Sequence, residues 1–352
     1  MSDRSGRPLR AAVVGLGMMG RNHVRVWDEA VDGVELVAVA DPDAGAVSRA
    51  TSGRRARGFE DPARMFAEEE LDLVSIVAPT SLHLPVTLAA FSAGANVLVE
   101  KPIAATRDEA VKMMDAAHEA GRMLTVGHIE RFNPVIRELR RRLADGELGR
   151  IFQINATRLG PFPARIRDVG VVVDLAPHDL DIMRYLAGSE PIRIYAETER
   201  RIHTEHEDLF NGVMKFANGV IGVLDINWLT PTKRRTVTVT GERGMYVADY
   251  IAQDLVFYAN PDAGQTWVNR GGDGAGAPIT SVAEGEMTRR TIRREEPLVV
   301  ELREFAIAVR EGGPPPVDPH DAMVALLLAR KMVESALSGM VIGGAALEEV
   351  IR

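Results

Sequence analysis

The sequence contains no cysteine among its 352 residues. This absence excludes disulfide bonds, thiolate nucleophiles, cysteine-ligated zinc and iron–sulfur clusters. The chain also lacks an apolar run of the roughly 18 residues that a membrane-spanning helix requires. Its first apolar segment, from Arg10 to Gly20, carries three glycines and no small-residue cleavage site, so it does not predict a signal peptide. We therefore expect a cytoplasmic protein with no membrane partner.

A concentrated basic surface is lacking as well. The formal net charge is -8, and lysine and arginine are spread along the chain. This balance argues against a nucleic-acid partner, although a local group of arginines can still bind an anionic substrate. Hydrophobic residues make up 46% of the chain, which is ordinary for a globular protein, and the length favours two domains.

The first part of the chain alternates short β-branched runs with helical stretches. Nearly continuous apolar strands separated by helices predict an α/β domain with a doubly wound parallel sheet, which we place at residues 1–128. The predicted strands are Leu9–Val14, Val34–Ala40, Leu73–Val77, Asn96–Val99 and Met123–Val126, and the predicted helices are 18–30, 82–93 and 106–120.

The pattern changes near His128, and residues 129–352 predict an α+β domain with a large open, mostly antiparallel sheet. Asn218-Gly219 between two alternating segments is a strong hairpin signal. Residues 260–290 are rich in glycine and predict a loop. The predicted strands are 151–159, Arg193–Arg201, Asp208–Phe216, Val220–Asn227, Arg235–Thr240 and Gly244–Asp249, and the predicted helices are 134–143, 176–187, 297–311 and 319–338.

A glycine motif follows the first predicted strand: Gly15-Leu16-Gly17-Met18-Met19-Gly20. In a strand–turn–helix context, GxGxxG indicates a Rossmann dinucleotide site. The first glycine permits a tight turn, the second lets a pyrophosphate approach the backbone, and the third lets helix and strand pack closely. The phosphates would meet free N–H groups and the positive end of the helix.

An acidic residue, Asp41, ends the second strand about 20 residues after the motif. There a carboxylate would accept hydrogen bonds from the adenosine ribose and repel a 2′-phosphate, which favours NAD over NADP. A structural turn at Asp41-Pro42 is the alternative interpretation. Four nearby arginines keep NADP as the second cofactor candidate: Arg49, Arg54, Arg55 and Arg57.

Two groups of residues could perform chemistry. Lys101 follows the strand Asn96–Val99, so it should lie where ligands bind an open parallel sheet and could polarise a substrate oxygen. Asp174 and His178 are four residues apart at the start of a predicted helical stretch, where the carboxylate could orient the imidazole as a base. Each has a structural alternative: Lys101 as a surface lysine paired with Glu100, Asp174 as the N-cap of a helix, and His178 as a structural histidine.

A metal site is the less favoured interpretation of the acidic and histidine clusters. Asp174, His178, Asp179 and Asp181 are acceptable ligand types, and so are His203, His206 and Asp208. A nicotinamide cofactor would already supply the hydride acceptor, so no metal is predicted.

Four features resemble those of the Gfo/Idh/MocA oxidoreductases in their order and spacing: the glycine motif, Asp41, Glu100-Lys101-Pro102 and Asp174-x-x-x-His178. The resemblance implies a Rossmann domain and a sheet domain whose open face forms an interface in a homodimer or homotetramer. It also implies that His178 is the base, that Lys101 hydrogen-bonds the reacting hydroxyl and that Asp174 orients His178. Thr80, His83 and Glu100 match positions that line the cofactor cleft of the family.

Two segments are similar to the sugar-nucleotide branch of this family, the UDP-N-acetylglucosamine 3-dehydrogenases: residues 127–134 and 158–170. Within the second segment, Arg158, Arg165 and Arg167 could bind a diphosphate through forked hydrogen bonds. Three solvated arginines on a loop are the alternative. The expected reaction is NAD-dependent oxidation of a secondary hydroxyl of a sugar nucleotide. A dehydrogenase of free sugars, inositols or polyols and a non-catalytic dinucleotide-binding protein are the alternatives.

Overall fold

The computed structural model describes residues 6–163, 169–202, 205–260 and 285–351. Its strands are β1 (Leu9–Val14), β2 (Val34–Ala40), β3 (Arg57–Phe59), β4 (Leu73–Ile76), β5 (Asn96–Glu100), β6 (Leu124–Gly127), β7 (Ile151–Pro161), β8 (Pro191–Glu199), β9 (Leu209–Phe216), β10 (Ile221–Asn227), β11 (Leu229–Gly241), β12 (Gly244–Asp249), β13 (Asp254–Ala259), β14 (Met287–Arg290) and β15 (Ile342–Gly343). Its helices are α1 (Met18–Glu29), α2 (Ala44–Thr51), α3 (Pro62–Glu68), α4 (His83–Ser92), α5 (Arg107–Ala120), α6 (Pro134–Ala144), α7 (Val171–Ala187), α8 (Pro297–Glu311), α9 (Pro319–Ser338) and α10 (Ala345–Ile351).

The chain divides into two compact units. The first contains Met1–Phe132 and Glu295–Leu327, and the second contains Asn133–Arg294 and Leu328–Arg352. The prediction of 1–128 and 129–352 differs from this division mainly in the segment 295–327, which it assigned to the second domain. Leu302 and Phe305 of α8 explain the difference, because they are buried in the same hydrophobic cluster as Trp27 of α1.

A six-stranded sheet in the order β3-β2-β1-β4-β5-β6 forms the centre of the first unit, and all its neighbouring strands are parallel. Successive side chains of β1 enter different hydrophobic clusters: Ala12 and Val14 lie in one, Ala11 and Val13 in the other. Both faces of the sheet are therefore covered, which confirms the predicted doubly wound sheet.

The arginine-rich stretch after β2, to which the sequence assigned no element, forms α2, β3 and α3. Asp43 and Asp61 begin the two helices, since their side chains accept hydrogen bonds from the backbone N–H groups of Gly45 and Ala63. Pro62 occupies the first position of α3, where its missing N–H costs nothing. Both caps are of the kind that sequence rules recognise, but the helices are too short to show a clear apolar period.

The second unit contains a nine-stranded sheet in the order β14-β13-β12-β11-β7-β10-β9-β8-β15. β7 and β10 are parallel, and the other neighbouring pairs are antiparallel, which confirms the predicted mostly antiparallel sheet. α7 packs against β7, β9 and β10 on one face. Across the described ranges, no helix is both long and apolar enough to span a membrane.

Candidate active site

The glycine motif forms the turn between β1 and α1, and two of its glycines have no room for a side chain. Gly15 has a φ of +91°, and a Cβ atom on it would lie 2.6 Å from the carbonyl oxygen of Val77. A Cβ on Gly20 would lie 1.9 Å from the carbonyl oxygen of Gly15. These two positions therefore require glycine for the turn itself.

Gly17 differs from its two neighbours in the motif. A Cβ on Gly17 would meet no protein atom within 4 Å, so the fold does not require glycine there. Gly17 is the N-cap of α1 and has no side chain with which to cap the helix. The first N–H groups of a helix have no partner within it and attract anions. Met18 and Met19, which open this helix, are exposed and half-buried respectively. This arrangement suits a pyrophosphate that approaches the backbone at Gly17.

Asp41 connects the end of β2 to the glycine turn. Its Oδ2 accepts a hydrogen bond from the backbone N–H of Leu16 at 2.6 Å, and its Oδ1 accepts one from Asp43 at 2.9 Å. A carboxylate oxygen can accept more than one hydrogen bond, so these contacts orient Asp41 and leave acceptor capacity for a ribose.

Two of the arginines that kept NADP as a candidate are engaged with acids. Arg54 forms ion pairs with Asp28 and Glu29. Arg57 forms ion pairs with Glu68 and Glu69. Guanidinium groups held in this way are less available to a 2′-phosphate, which supports the preference for NAD that Asp41 predicts.

Glu100 ends β5 and Lys101 follows it in the next turn, and both side chains are partly buried. The carboxylate of Glu100 accepts a hydrogen bond from the backbone N–H of Lys101 at 3.1 Å and one from Nε2 of His23 at 3.1 Å. Gly127 of the neighbouring strand makes room for it, because a Cβ there would lie 2.9 Å from Cδ of Glu100. Glu100 thus sets the path of the backbone that presents Lys101.

The charge state of Glu100 follows from opposing effects. Burial by itself would raise the pKa of its carboxyl group. The hydrogen bond from His23, the nearby positive charge of Lys101 and the backbone N–H of Lys101 outweigh burial and lower the pKa of Glu100 below its usual range. Glu100 is therefore an anion at neutral pH.

His83, predicted to line the cofactor cleft, is only 1% exposed. Its Nδ1 lies 3.0 Å from the carbonyl oxygen of Pro102, and its Nε2 lies 3.0 Å from that of Ala78. Burial lowers the pKa of His83, even though the hydrogen bonds to the carbonyls raise it. A neutral imidazole carries one N–H, so His83 donates to only one of these two carbonyls while its ring packs between the segment after β4 and the turn after Lys101. Thr80 lies in a short 3₁₀ turn of that segment and is half-buried.

Asp174 and His178 both lie on α7, four residues apart, so they share one face of the helix. The helix begins at Val171, five residues before the predicted start. Glu207 accounts for the earlier start, because its carbonyl and carboxylate accept hydrogen bonds from the backbone N–H groups of Val171 and Val172. Asp174 is consequently in the first turn and is not the N-cap, which was the structural alternative.

Arg158, predicted to bind a diphosphate, is 3% exposed and is paired inside the second unit. Its Nε and Nη2 donate to the two carboxylate oxygens of Asp179 at 2.6 and 3.2 Å. Because Asp179 follows His178 directly, this ion pair joins the central strand β7 to the part of α7 that carries His178. Arg158 is therefore a buried structural residue in this geometry. Arg165 and Arg167 lie outside the described residues.

The segment considered as a second metal cluster has structural contacts. Asp208 is fully buried and accepts hydrogen bonds from the backbone N–H groups of Arg201 and Ile202. His203 is outside the part of the chain that the structure describes. Within that part, no group of three or more histidine, aspartate or glutamate side chains could hold a metal ion.

Comparison with known proteins decides the family. Residues 9–128 match the model of the oxidoreductase family with an NAD-binding Rossmann fold, and residues 136–247 match the GFO/IDH/MocA C-terminal domain. The chain belongs to the Gfo/Idh/MocA oxidoreductases. The expected family is thereby confirmed.

Individual relatives within the Gfo/Idh/MocA family differ in substrate. An inositol 2-dehydrogenase from Saccharopolyspora erythraea is 32% identical over 62% of this chain and 66% of its own length. A UDP-N-acetylglucosamine 3-dehydrogenase from Acidithiobacillus ferrooxidans is 31% identical over 71% of this chain and 77% of its own length. The solved structure of the Acidithiobacillus enzyme covers 94% of this chain and 98% of its own, with 26% identity and a TM-score of 0.81.

Family membership makes the protein an NAD-dependent oxidoreductase, and the residues of the first unit fit that cofactor. Gly17 leaves the space that a pyrophosphate needs, the start of α1 is uncapped, and Asp41 is oriented at the end of β2. The predicted cofactor, NAD, is confirmed by the family to which this domain belongs.

Sequence reasoning missed two buried residues next to this Gfo/Idh/MocA site, His23 and Glu301. His23 is fully buried on α1 and hydrogen-bonds Glu100. Glu301 lies on α8 between Leu298 and Phe305, which face the core, and it is 1% exposed. An acid within an apolar stripe at helical spacing was the available sequence signal for Glu301.

Proposed function

We propose that this protein oxidises a secondary hydroxyl group of a sugar nucleotide. The observation that carries the proposal is the likeness to the UDP-N-acetylglucosamine 3-dehydrogenase, which extends over both units of the chain. The coarser statement rests on the whole family: the protein is an NAD-dependent dehydrogenase of sugars or polyols.

The proposed chemistry assigns one task to each of three side chains. His178 removes the proton of the substrate hydroxyl, and Asp174 stabilises the imidazolium that forms. The ammonium of Lys101 donates a hydrogen bond to the same oxygen. When NAD is bound, it accepts the hydride that leaves the carbon. Support for these roles comes from the family motif and from the shared helix face of Asp174 and His178.

Replacing His178 by alanine tests the base. We expect turnover to fall by about a hundredfold or more, since a positioned base contributes about that factor. NADH affinity should stay unchanged, because Asp41 and the glycine turn are untouched. Turnover close to that of the wild type would remove His178 from the mechanism.

An inositol or related polyol is the second candidate substrate. Two observations favour it. One relative is an inositol 2-dehydrogenase, and Arg158, one of the three predicted diphosphate ligands, is paired with Asp179 and is therefore less available to a diphosphate. The role of Arg165 and Arg167 rests on the sequence alone.

The deciding experiment is mass spectrometry after incubation with NAD and either UDP-N-acetylglucosamine or myo-inositol. A parallel sample contains 2-oxoglutarate to reoxidise any tightly held NADH. A sugar-nucleotide product lighter by the mass of two hydrogen atoms supports the proposal. An oxidised inositol with no sugar-nucleotide product would replace it by the second candidate.

We also propose that a second copy of the chain covers the open face of the nine-stranded sheet. The strand registers align Tyr195, Val213, Val223, Asn155, Thr238, Val247 and Val256 in one row across this face. Val213 is 46% exposed and Ile221 of the same face is 41% exposed. Five of the seven residues in this row are apolar or aromatic, and partly exposed apolar groups side by side are typical of a surface that a partner protein covers. Analytical ultracentrifugation should show a dimer or tetramer, and a monomer would contradict the proposal.

A further inference from the structure

His23 is a buried histidine to which the proposed mechanism gives no task. It lies on α1, three residues after Gly20, the last glycine of the dinucleotide motif. Its side chain is fully buried, and Val24, Val26 and Trp27 of the same helix are buried as well. Burying an imidazole among apolar groups costs free energy unless its polar atoms find partners. The partner of His23 therefore indicates what the residue does.

The imidazole of His23 contacts the carboxylate of Glu100. Its Nε2 lies 3.1 Å from Oε1 of Glu100. Its other ring nitrogen, Nδ1, is buried and has no hydrogen-bond partner among the residues that the structure describes. Because a carboxylate only accepts hydrogen bonds, Nε2 carries the hydrogen and donates it. His23 is thus a buried donor directed at Glu100.

Glu100 joins His23 to the backbone of Lys101. Its Oε1 faces His23, and its Oε2 accepts a hydrogen bond from the backbone N–H of Lys101 at 3.1 Å. Gly127 of the adjacent strand β6 lies against the same group, because a Cβ there would lie 2.9 to 3.0 Å from Cδ, Oε1 and Oε2 of Glu100. The two oxygens of a carboxylate share one rigid plane. A donor that fixes Oε1 therefore also fixes the direction of Oε2.

The contact connects two elements of the first unit that have different tasks. α1 begins beside Gly17, where the pyrophosphate of NAD would approach, and Lys101 follows β5. A second buried hydrogen bond, from Nε1 of Trp27 to Oγ of Ser75 at 2.9 Å, also joins α1 to this sheet. It ends on β4 and does not involve Glu100. Of these two bonds, the one from His23 ends on the side chain that holds the backbone of Lys101.

We propose that His23 is a positioning residue for Lys101 and acts through Glu100. The N–H of His23 fixes the carboxylate plane, Oε2 is thereby directed to the N–H of Lys101, and the backbone of Lys101 is held relative to the helix that binds the cofactor. Without this donor, Glu100 is a partly buried anion with one hydrogen bond fewer, and it turns toward another donor or toward water. The consequence for catalysis rests on the proposed role of Lys101.

Three substitutions separate positioning from a general loss of stability. His23→Leu fills a similar space and has no donor. His23→Gln places an amide N–H near the position of Nε2 and restores the donor. Ser75→Ala is the matched control, because it removes the other buried hydrogen bond between α1 and the sheet and leaves Glu100 untouched. His23→Leu and Ser75→Ala should both lower the free energy of unfolding, since each leaves a buried polar group without its partner.

Nitrogen-15 NMR observes the backbone of Lys101 without any substrate. The chain has five lysines, so labelling lysine alone gives five backbone amide signals, and the signal lost in Lys101→Arg is that of Lys101. The signal of Lys112, on α5 of the same unit, shows whether the unit stays folded.

Hydrogen exchange of this amide gives the decisive result. We expect the Lys101 amide to exchange about tenfold faster in His23→Leu than in the wild type, because its hydrogen bond to a charged acceptor is weakened. The rate should return close to that of the wild type in His23→Gln and should be unchanged in Ser75→Ala. An unchanged rate in His23→Leu, an equal increase in Ser75→Ala or no recovery in His23→Gln would overturn the positioning role.

Turnover tests the consequence for the reaction, with whichever of UDP-N-acetylglucosamine and myo-inositol the wild type oxidises. We expect kcat to fall about tenfold or more in His23→Leu with a smaller change in KM, since a slightly displaced reacting group is costly. His23→Gln should recover most of kcat, and Ser75→Ala should keep it. An unchanged kcat in His23→Leu would refute the catalytic consequence. If the wild type oxidises neither compound, the proposed function fails, and the NMR result still decides whether His23 positions Lys101.

Discussion

The two sheets of this protein use their faces differently. In β1 of the first unit, the adjacent residues Val13 and Val14 are 0% and 4% exposed, because helices cover both sides of the parallel sheet. In β9 of the second unit, the adjacent residues Val213 and Met214 are 46% and 1% exposed. A parallel sheet needs crossover helices, which cover both faces, whereas antiparallel strands can leave one face open. The first sheet is thus covered on both faces, and the second has one face with exposed apolar side chains.

The two units also hold their charged side chains in different ways. The cofactor edge of the first unit arranges its groups mainly through the backbone: Asp41 binds Leu16, and Glu100 binds Lys101. The second unit anchors α7, the helix that carries the proposed base His178, through side chains: Arg158 of the central strand β7 is paired with Asp179. The partners of both contacts are more than 20 residues apart, but Asp41 stands at the acidic position that follows a dinucleotide motif, whereas the Arg158–Asp179 pair matches no motif.

The largest expected effect comes from placing a charge on one sheet and then on the other. Val14→Asp should lower the free energy of unfolding by on the order of 5 kcal/mol, since it buries a carboxylate without a partner. Val213→Asp, on the open face, should leave a folded chain and abolish the self-association proposed above. Urea unfolding followed by circular dichroism, together with sedimentation, measures both. Equal destabilisation by the two substitutions would break the contrast between the sheets.

A smaller effect is expected from the buried ion pair of the second unit. Arg158→Met should cost about 3 kcal/mol of unfolding free energy, because Asp179 is left as a buried charge. The double variant Arg158→Met with Asp179→Leu should recover most of this loss. Arg150→Met, which breaks an exposed pair with Glu242, is the control and should cost less than about 1 kcal/mol. If the single and double variants are equally unstable, Arg158 acts through something other than Asp179.

The smallest effect on stability is expected at Gly17 in the first unit. Gly17→Ala adds a methyl group that meets no protein atom, so the free energy of unfolding should change by no more than about 1 kcal/mol. The Kd for NAD should rise about tenfold, which is a loss of about 1.4 kcal/mol of binding free energy, because the methyl group lies where the pyrophosphate approaches the backbone. Isothermal titration calorimetry measures the affinity. Gly6→Ala, also in open space, is the control. Unchanged NAD affinity would remove Gly17 from the cofactor site.

Much of the first unit follows from local patterns. β1, β2 and the glycine turn have the predicted bounds, because apolar runs, helix signals and glycine spacing act over short distances. α2 and α3 were missed since each has only two turns, too few for an apolar period to be clear. β13, β14, β15 and α10 were missed as well. The three strands lie at or next to the edges of the nine-stranded sheet, and α10 contacts β15 and β8, so pairing between distant segments decides their structure.

The sequence by itself determined the dinucleotide motif, the acid that favours NAD, the two classes of sheet and the family. The glycine motif and the strand patterns lie within single turns or strands, and Asp41 is recognised because a βαβ unit places the end of its second strand about 20 residues after the motif. The tertiary structure alone decided that Glu207 accepts hydrogen bonds from the start of α7, that Arg158 pairs with Asp179, and that His23 hydrogen-bonds Glu100. These pairs are separated by 21 residues or more along the chain, so only packing brings them together.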